Sequence, residues 1–325
     1  MRSFVRYARG LISLCLLGAA PLVAAPSCNG WPQPKTCQYS SWPSPLNIDA
    51  GVGFRADKFK WSLPGFDNFP NTLSEVQWRD LRIIEYKGFA EYVSCTNYAI
   101  RLQGDYGHIY HGRYRDADYA GDDKTDIYSL SHGKAAKGYV YDYSAAAGYR
   151  VTSNCSRLVA TPLIGYSQHA QYLHMYSATQ DISLDPNALG PIPGLNSRYT
   201  TRWFGPWIGL DFTAQVERCA YLFGSFQWHM LTYRGHGRWN LREDIGPFYQ
   251  KAYGYGYVGV LGGKWEIWDN WSFGVTGTYR MFRTKHGSEH VKIYPEDEPP
   301  FEGVGRFGGA IWHSFGVTGI IAWRY

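Results

Sequence analysis

Long hydrophobic runs are missing from most of this 325-residue sequence. After residue 25 there is no apolar stretch of about 18 residues, so a protein that crosses a membrane with helices is excluded. Gly-Lys-Ser/Thr phosphate loops, Gly-x-Ser-x-Gly elbows and His-Glu-x-x-His helices are missing too, which argues against three large classes of hydrolase. With 18% charged and 17% aromatic residues, wholesale disorder is also excluded.

The most frequent pattern in the sequence is an alternation with a period of two residues. Between Trp271 and Arg280 the odd positions are mainly large and apolar, and the even positions are small or polar. The same alternation recurs at 83–92, 98–106, 139–149 and 158–169, where charged residues lie on the face opposite the apolar one. Charges inside so many strands need a wet or mutually paired interior, which a barrel in a bilayer supplies and a dry sandwich core does not.

The spacing of these segments predicts an all-β fold, a ten-stranded antiparallel transmembrane β-barrel with long extracellular loops. The ten strands are expected at roughly 46–61, 74–94, 98–113, 137–152, 157–176, 199–216, 219–236, 250–266, 271–286 and 306–325. Short and long connections alternate, as they do between the periplasmic turns and external loops of outer-membrane barrels. The aromatic C-terminal residue, Tyr325, fits the same class.

The N-terminus predicts export. Residues 1–25 have a basic start, a short apolar core and small residues before the expected cleavage point, so they read as a signal peptide. Residues 26–45 are expected to form a periplasmic extension, and 46–325 the barrel in the bacterial outer membrane. Cleavage leaves 29 basic and 27 acidic residues, a net charge of +2, which gives little support to a nucleic-acid partner.

Cysteine is scarce, and its spacing does not fit a zinc or iron–sulfur site. Five cysteines remain after the expected cleavage: Cys28, Cys37, Cys95, Cys155 and Cys219. Cys28 and Cys37 are close enough in sequence for a small disulfide loop. The odd count leaves at least one thiol free or paired elsewhere, and the pairing stays open.

Three segments resemble the omptin family of ten-stranded outer-membrane endoproteases. They are Ser74-Glu75-Val76-Gln77-Trp78 followed by Ile83-Ile84, Asp116-Ala117-Asp118-Tyr119, and the set Tyr199, Arg202, Pro206, Ile208, Gly209 and Leu210. The resemblance extends over about residues 46–325. It implies an aspartic-type endopeptidase that needs no cofactor and acts on a peptide or host protein.

The resemblance implies that Asp116 and Asp118, in the second external loop, form one half of a catalytic site. Carboxylates two residues apart on an extended segment share one face, and their repulsion raises one pKa. Such a pair can hold a water molecule towards a scissile carbonyl. A calcium loop beginning at Asp116 is not supported, because Ala120 and Ile127 occupy two of its ligand positions.

The second half of the omptin site is not matched. The family's Asp-x-His pair aligns with Arg238 and Asn240, which cannot act as a carboxylate and a base. The positions that contact the substrate fall at His236 and Trp61, so Trp61, Arg238 and Asn240 are expected to lie along the substrate groove. In an alternative alignment His236 is the catalytic base, with Glu243 or Asp244 as its partner.

The resemblance also implies a lipid site on the outer wall. Tyr172, His174 and Arg202 are expected near the external rim, where they would contact lipopolysaccharide as an activating lipid. The alternative is an ordinary aromatic girdle with polar neighbours. Three functions therefore remain in order: an endopeptidase, a non-catalytic surface barrel for adhesion, envelope structure or ligand binding, and a passive pore.

Overall fold

The structure is a computed structural model in which residues 44–153, 157–217, 219–268, 270–295 and 299–325 are described. The predicted signal peptide, nearly all of the predicted periplasmic extension and three of the cysteines (Cys28, Cys37 and Cys155) lie outside these ranges. Cys95 is an exposed free thiol, and Cys219 is in a disulfide.

Strands dominate the described residues. In chain order they are β1 (Leu46–Leu63), β2 (Ser74–Val93), β3 (Tyr98–Tyr119), β4 (Ile127–Lys134), β5 (Gly138–Tyr149), β6 (Val151–Thr152), β7 (Leu158–Ile182), β8 (Gly190–Glu217), β9 (Ala220–Arg238), β10 (Ile245–Trp268), β11 (Trp271–Ile293), β12 (Phe301–Phe307) and β13 (Gly309–Arg324). Single 3₁₀ turns occur at Phe66–Asn68, Asp122–Lys124 and Pro186–Ala188. No helix in these ranges is long and apolar enough to cross a membrane.

The strands close into an antiparallel ring. Sequence neighbours pair around it, β1 pairs with β13, and β11 pairs with both β10 and β13. β4, β5 and β6 follow one another at one position of the wall, where β4 and β5 lie between β3 and β7 and β6 pairs with β7, and β12 and β13 follow one another beside β11, so the thirteen strands occupy ten positions. The predicted ten-stranded barrel is confirmed, and a two-sheet sandwich is excluded.

The strands are longer at the external end than the sequence pattern predicts. Most of 113–136, 177–198 and 286–305, which we expected to be loops, continues as paired strand in β3, β4, β7, β8, β11 and β12. Here no lipid demands an apolar outer face, so the period-two hydrophobic signal fades while the hydrogen-bonded ladder continues. The external half of the barrel therefore stands well above the membrane.

A belt of exposed apolar side chains marks the membrane-spanning half. It begins at the short turns and includes Val52, Phe54, Tyr86, Ile100, Leu102, Ile164, Ile208, Phe226, Leu261, Phe273, Val317 and Ile321. Further along the same strands the outward side chains become basic, at Lys58, Arg82, Arg202, Arg234, Lys251 and Arg283. A lipid-facing apolar band that ends in cations capable of reaching headgroups is typical of outer-membrane barrels.

The interior of the membrane-spanning half is closed by an ionic layer. Arg55 donates to Asp57 at 2.8 Å, to Glu85 at 3.0 Å and to Asp142 at 2.6 Å. Arg280 donates to Asp105 at 2.6 Å. All of these side chains are buried, so their charges compensate one another away from water, as a buried charge requires.

A layer of aromatic rings lies directly above the ionic layer, and its members are fully buried: Phe59, Trp78, Trp203, Tyr233, Phe282 and Trp312. The indole of Trp312 donates to Asp57 at 3.0 Å and so joins the two layers. Since both layers are packed and buried, the described residues leave no open path through the barrel, which argues against a passive pore.

The external acidic cleft as candidate functional site

A double bulge turns Asp116 and Asp118 towards the barrel interior. The pairing of β2 with β3 shifts at Arg79–Arg82 and again at Ile83, and Asp80 adopts a φ of 52°. Before the bulge the odd-numbered residues of β3 are buried or half-buried, whereas directly after it Gly112 and Tyr114 are buried, and from Tyr114 to Asp118 the pairing with β2 is unbroken, with Asp116 opposite Val76 and Asp118 opposite Ser74. The two aspartates therefore share the inward face with Tyr114, and they lie in the extended β3 strand rather than in a loop.

Each aspartate has a distinct setting on this face, which lies outside the membrane. Asp118 is opposite Ser74 and Ser129 on the neighbouring strands, and both serines hydrogen-bond to its carboxylate. Asp116 is opposite Val76 and Ser131. Burial, and then the charge of Asp118, raises the pKa of Asp116 to about 7. Burial raises the pKa of Asp118 as well.

Arg242, in the connection between β9 and β10, is the cation with the largest effect on the pKa values of this pair. Its charge lowers the pKa of both aspartates, against the larger effect of burial. Its guanidinium is nevertheless bound by Asp244, with Nε and Nη2 donating at 2.8 and 2.7 Å. The guanidinium of Arg242, which acts on the charge of the acidic pair, is thus already hydrogen-bonded to the carboxylate of Asp244. The sequence analysis missed Arg242, because nothing in its neighbourhood distinguishes it from other loop cations.

His236 lies on the opposite side of the wall from the acidic pair. The even-numbered residues of β9 face outwards from Leu222 to Arg238, and this strand has no bulge to reverse them. The imidazole stacks on Tyr249, with ring centroids 4.6 Å apart. The structure therefore does not bring His236 to Asp116, in contrast to the role of base expected from the sequence.

The three residues expected along the substrate groove are dispersed. Trp61 is 3% exposed and stacks on the buried ring of Tyr199, with centroids 5.7 Å apart. Arg238 faces outwards, in register with Arg198. The side-chain oxygen of Asn240 accepts a hydrogen bond from the backbone amide of Asn196 at 2.7 Å. Of the three, Trp61 alone shares the inward face with the acidic pair, since it is in register with Val76, which is opposite Asp116, whereas Arg238 points outwards and Asn240 is bound to the backbone at Asn196.

The other histidines do not complete a dyad with these aspartates either. All ten histidines fall within the described ranges. Three contact carboxylates, but each does so elsewhere: His132 with Asp181, His169 with Asp142, and His290 with Glu302. His132 is next to Ser131, and its side chain points to the face opposite that of Asp116. No imidazole in these ranges is therefore placed to take a proton from a water molecule held by Asp116.

The residues expected to bind lipid do lie together on the outer wall. Arg202 donates to the hydroxyl of Tyr172 at 3.2 Å, and His174 follows on the same face of β7. Arg202 is directly opposite Arg234, which is opposite Lys251. Three cations on adjacent strands thus form a basic row at the upper edge of the apolar belt.

A metal site is not supported by the acidic groups of the interior. Glu85, Asp105 and Asp142 have oxygens within 4.8 Å of one another. Arg55 and Arg280 already bind the same carboxylates, so they occupy the place and supply the charge that a cation would.

Comparisons with known proteins support the architecture and the location. The family model described as Pom, Protochlamydia outer membrane protein, matches residues 49–324. The crystal structure of outer membrane protease OmpT from Escherichia coli is similar with a TM-score of 0.75 and 15% identity over 90% of this chain and 99% of OmpT. The translocator domain of autotransporter NalP from Neisseria meningitidis has a TM-score of 0.38 and 10% identity over 88% of this chain and 91% of that domain. No curated protein matches the chain.

Proposed function

Because the chain belongs to the Protochlamydia outer membrane protein family, we propose that it works at the outer surface as a non-catalytic barrel that binds cationic ligands. Asp116 and Asp118 are the binding groups, and the side chains of basic peptides or polyamines are the class of ligand. One observation carries this proposal: the acidic pair lies side by side in the external half of the barrel, and no imidazole among the described residues accompanies it.

The electrostatics of the pair support a cationic ligand. Burial and the charge of Asp118 raise the pKa of Asp116 to about 7. Near neutral pH the ionised carboxylate of Asp116 therefore has no cation bound to it that would balance its negative charge. An incoming cation supplies that compensation and draws the proton off, since an opposite charge favours the ionised form. Arg242 does not neutralise the pair, because Asp244 binds its guanidinium in two hydrogen bonds.

Binding of a basic peptide to the purified barrel tests the proposal. A fluorescent oligolysine peptide should bind at pH 8, and the Asp116→Asn/Asp118→Asn variant should bind it roughly tenfold or more weakly, since each lost charge contact is worth about 1 kcal/mol. Asp67→Asn is the matched control, because Asp67 is an external carboxylate on the exposed Phe66–Asn68 turn and not on β3. Equal affinity in wild type and the double variant would refute the proposal.

Endopeptidase activity is the second candidate, and one observation favours it. A carboxyl pair with one pKa near 7 can exchange protons at neutral pH, and the chain shares the fold of OmpT. This candidate predicts cleavage of a fluorogenic peptide in the presence of lipopolysaccharide, abolished by Asp116→Asn. We expect no turnover, because the omptin resemblance implies an imidazole as the base and no imidazole among the described residues lies beside the pair. Measured turnover that depends on Asp116 would replace the binding proposal.

The basic row on the outer wall suggests a lipid partner. Cations just above an apolar belt can reach the phosphates of lipid headgroups while their methylene stems remain in hydrocarbon. Arg202, Arg234 and Lys251, with Tyr172, would contact the phosphates of lipopolysaccharide. Arg202→Gln/Arg234→Gln should weaken co-purification of the barrel with lipopolysaccharide while leaving zwitterionic detergent binding unchanged. Retention of the same amount of lipopolysaccharide would contradict this partner.

A further inference from the structure

The periplasmic half of the barrel encloses a cavity of about 170 Å³. Its lining extends from Ser44 and Asn47, beside the short turns, to Asp105 and Thr278, just below the ionic layer. A dry cavity of about 150 Å³ holds a molecule the size of benzene. The chamber therefore has room for a small organic molecule of six to nine non-hydrogen atoms.

Buried polar atoms in the chamber wall lack protein partners. Arg101, which is 3% exposed, uses Nη1 for Asp211 and lies 4.9 Å above the ring of Trp207, but its Nη2 has no hydrogen-bond partner among the described residues. Asp105 accepts from Arg280 with one oxygen, and its Oδ1 has no partner. Oδ1 of Asp211 is also unpaired.

These unpaired atoms are of both kinds, a cationic donor and anionic acceptors. A buried donor or acceptor without a partner costs about 1–3 kcal/mol, so such groups are usually satisfied by water or by a ligand. The donor Nη2 of Arg101 fits a carboxylate, and the free oxygens of Asp105 and Asp211 fit an ammonium group. A ligand with both groups offers a partner to each kind of unpaired atom.

The other charges of the wall disfavour a simple ion. At the lower end, Lys264 donates to Asp49 at 2.8 and 2.6 Å, and Arg150 donates to Glu91 at 2.7 Å. Because the remaining charges are already compensated, a ligand with a net charge would disturb the balance. A zwitterion adds no net charge and still places an opposite charge at each end.

Part of the chamber wall is apolar and suits a short side chain. Val159, Phe223 and Ile320 contribute to the lining between the charged groups. We propose that the chamber binds a small free α-amino acid, with its carboxylate at Arg101 and its ammonium group between Asp105 and Asp211. The ionic and aromatic layers close the external side, so the amino acid enters from the periplasmic end.

Calorimetric titration of the refolded full-length barrel in micelles with L-alanine tests this site. L-alanine should bind saturably, whereas propionate and ethylamine, which each carry half of the zwitterion, should bind at least tenfold more weakly. The Arg101→Gln/Asp211→Asn variant removes both charges of one pair and leaves no orphaned charge, and it should weaken L-alanine binding at least tenfold. Arg113→Gln/Asp80→Asn, which removes an exposed external pair, is the matched control and should bind as wild type does.

Absence of saturable heat with L-alanine would overturn the proposal and would indicate that the chamber contains only water. Equal affinity in the Arg101/Asp211 variant would overturn it too, as would propionate or ethylamine binding as tightly as L-alanine. If that variant fails to fold, a second measurement on the wild type decides. Intermolecular NOEs are expected between the L-alanine methyl group and the methyl groups of Val159 and Ile320, and their absence under saturating L-alanine refutes this site.

Discussion

The two halves of the barrel handle buried charge in opposite ways. In the membrane-spanning half, Arg55 and Arg280 pair with carboxylates from several strands, and the layer is buried and compensated. In the external half, Asp116 and Asp118 share one face without a cation bound to either, and the pKa of Asp116 rises to about 7. Compensation produces a rigid seal, whereas lack of compensation leaves a group that can change its charge near neutral pH.

This difference follows from the solvent around each half. A charge in the membrane-spanning interior has no access to bulk water, so an unpaired one would cost several kcal/mol and is not tolerated. The external half is bathed in water, which lowers the cost of two adjacent carboxyls enough for them to persist. A stable barrel can therefore keep a reactive or binding group only above the membrane or beside a wet cavity.

Breaking the seal should have the largest effect on stability. Arg55→Met leaves Asp57, Glu85 and Asp142 buried without their main cation, so we expect a loss of about 3–5 kcal/mol in the free energy of unfolding. Arg113→Met breaks the exposed external pair with Asp80 and should cost at most about 1 kcal/mol. Urea unfolding followed by tryptophan fluorescence measures both. Equal losses would show that the two halves do not differ in this respect.

A cation introduced on the outer wall should have the next largest effect, and its cost in stability should differ between the two halves of the barrel. Leu102 is 54% exposed in the apolar belt, and Leu102→Arg should cost about 2–4 kcal/mol in a bilayer. Val304 is 68% exposed on β12 in the external half, where Val304→Arg should change stability by less than about 0.5 kcal/mol. Unfolding in lipid vesicles gives the comparison. A similar cost at both positions would contradict the placement of the membrane boundary.

The same contrast explains how much of the fold the sequence predicts. Lipid outside and paired charge inside impose strict alternation, so the pattern in 98–106 and 271–280 indicates strand positions and facing directions that the structure confirms. Above the membrane neither face has to be apolar, and β4 and β12 have no pattern that predicts them. The sequence therefore predicts the membrane-spanning half closely and the external half only in outline.

The candidate site is predictable only in part, for a related reason. The spacing of Asp116 and Asp118 places them on one face of an extended segment, which the structure confirms. Which face that is depends on the bulge at Arg79–Arg82, and no residue signal indicates where a ladder slips. The companion residue Arg242 comes from a distant connection, so the sequence could not select it, and the alternative alignment that made His236 the base did not take account of its outward direction on β9.

Stability as a function of pH tests the uncompensated pair. The pKa of Asp116 in the folded state, about 7, is above the value of about 3.9 expected for an unfolded chain, so the folded state holds a proton that the unfolded state releases. Its contribution to stability should fall as pH rises from about 4 to 7 and stay level above that. The difference between wild type and Asp116→Asn should change by at most about 1.4 kcal/mol per pH unit in this window. A flat difference for Asp116→Asn would contradict the raised pKa.

The smallest expected effect comes from Arg242, the cation with the largest influence on the pKa of Asp116. The charge of Arg242 lowers the pKa of both aspartates, and it also repels a cationic ligand. Arg242→Gln should therefore raise the pKa of Asp116 further and, at pH 8, where the pair is still largely ionised, strengthen oligolysine binding about two- to fivefold, because exposed charge pairs contribute about 0.2–1 kcal/mol. Arg113→Gln, which removes an exposed external arginine that pairs with Asp80, is the matched control. Weaker oligolysine binding in Arg242→Gln would mean that Arg242 positions the pair rather than repelling the ligand. Asp116 and Asp118 would then count as compensated by Arg242, and the two halves of the barrel would not differ in how they handle buried charge.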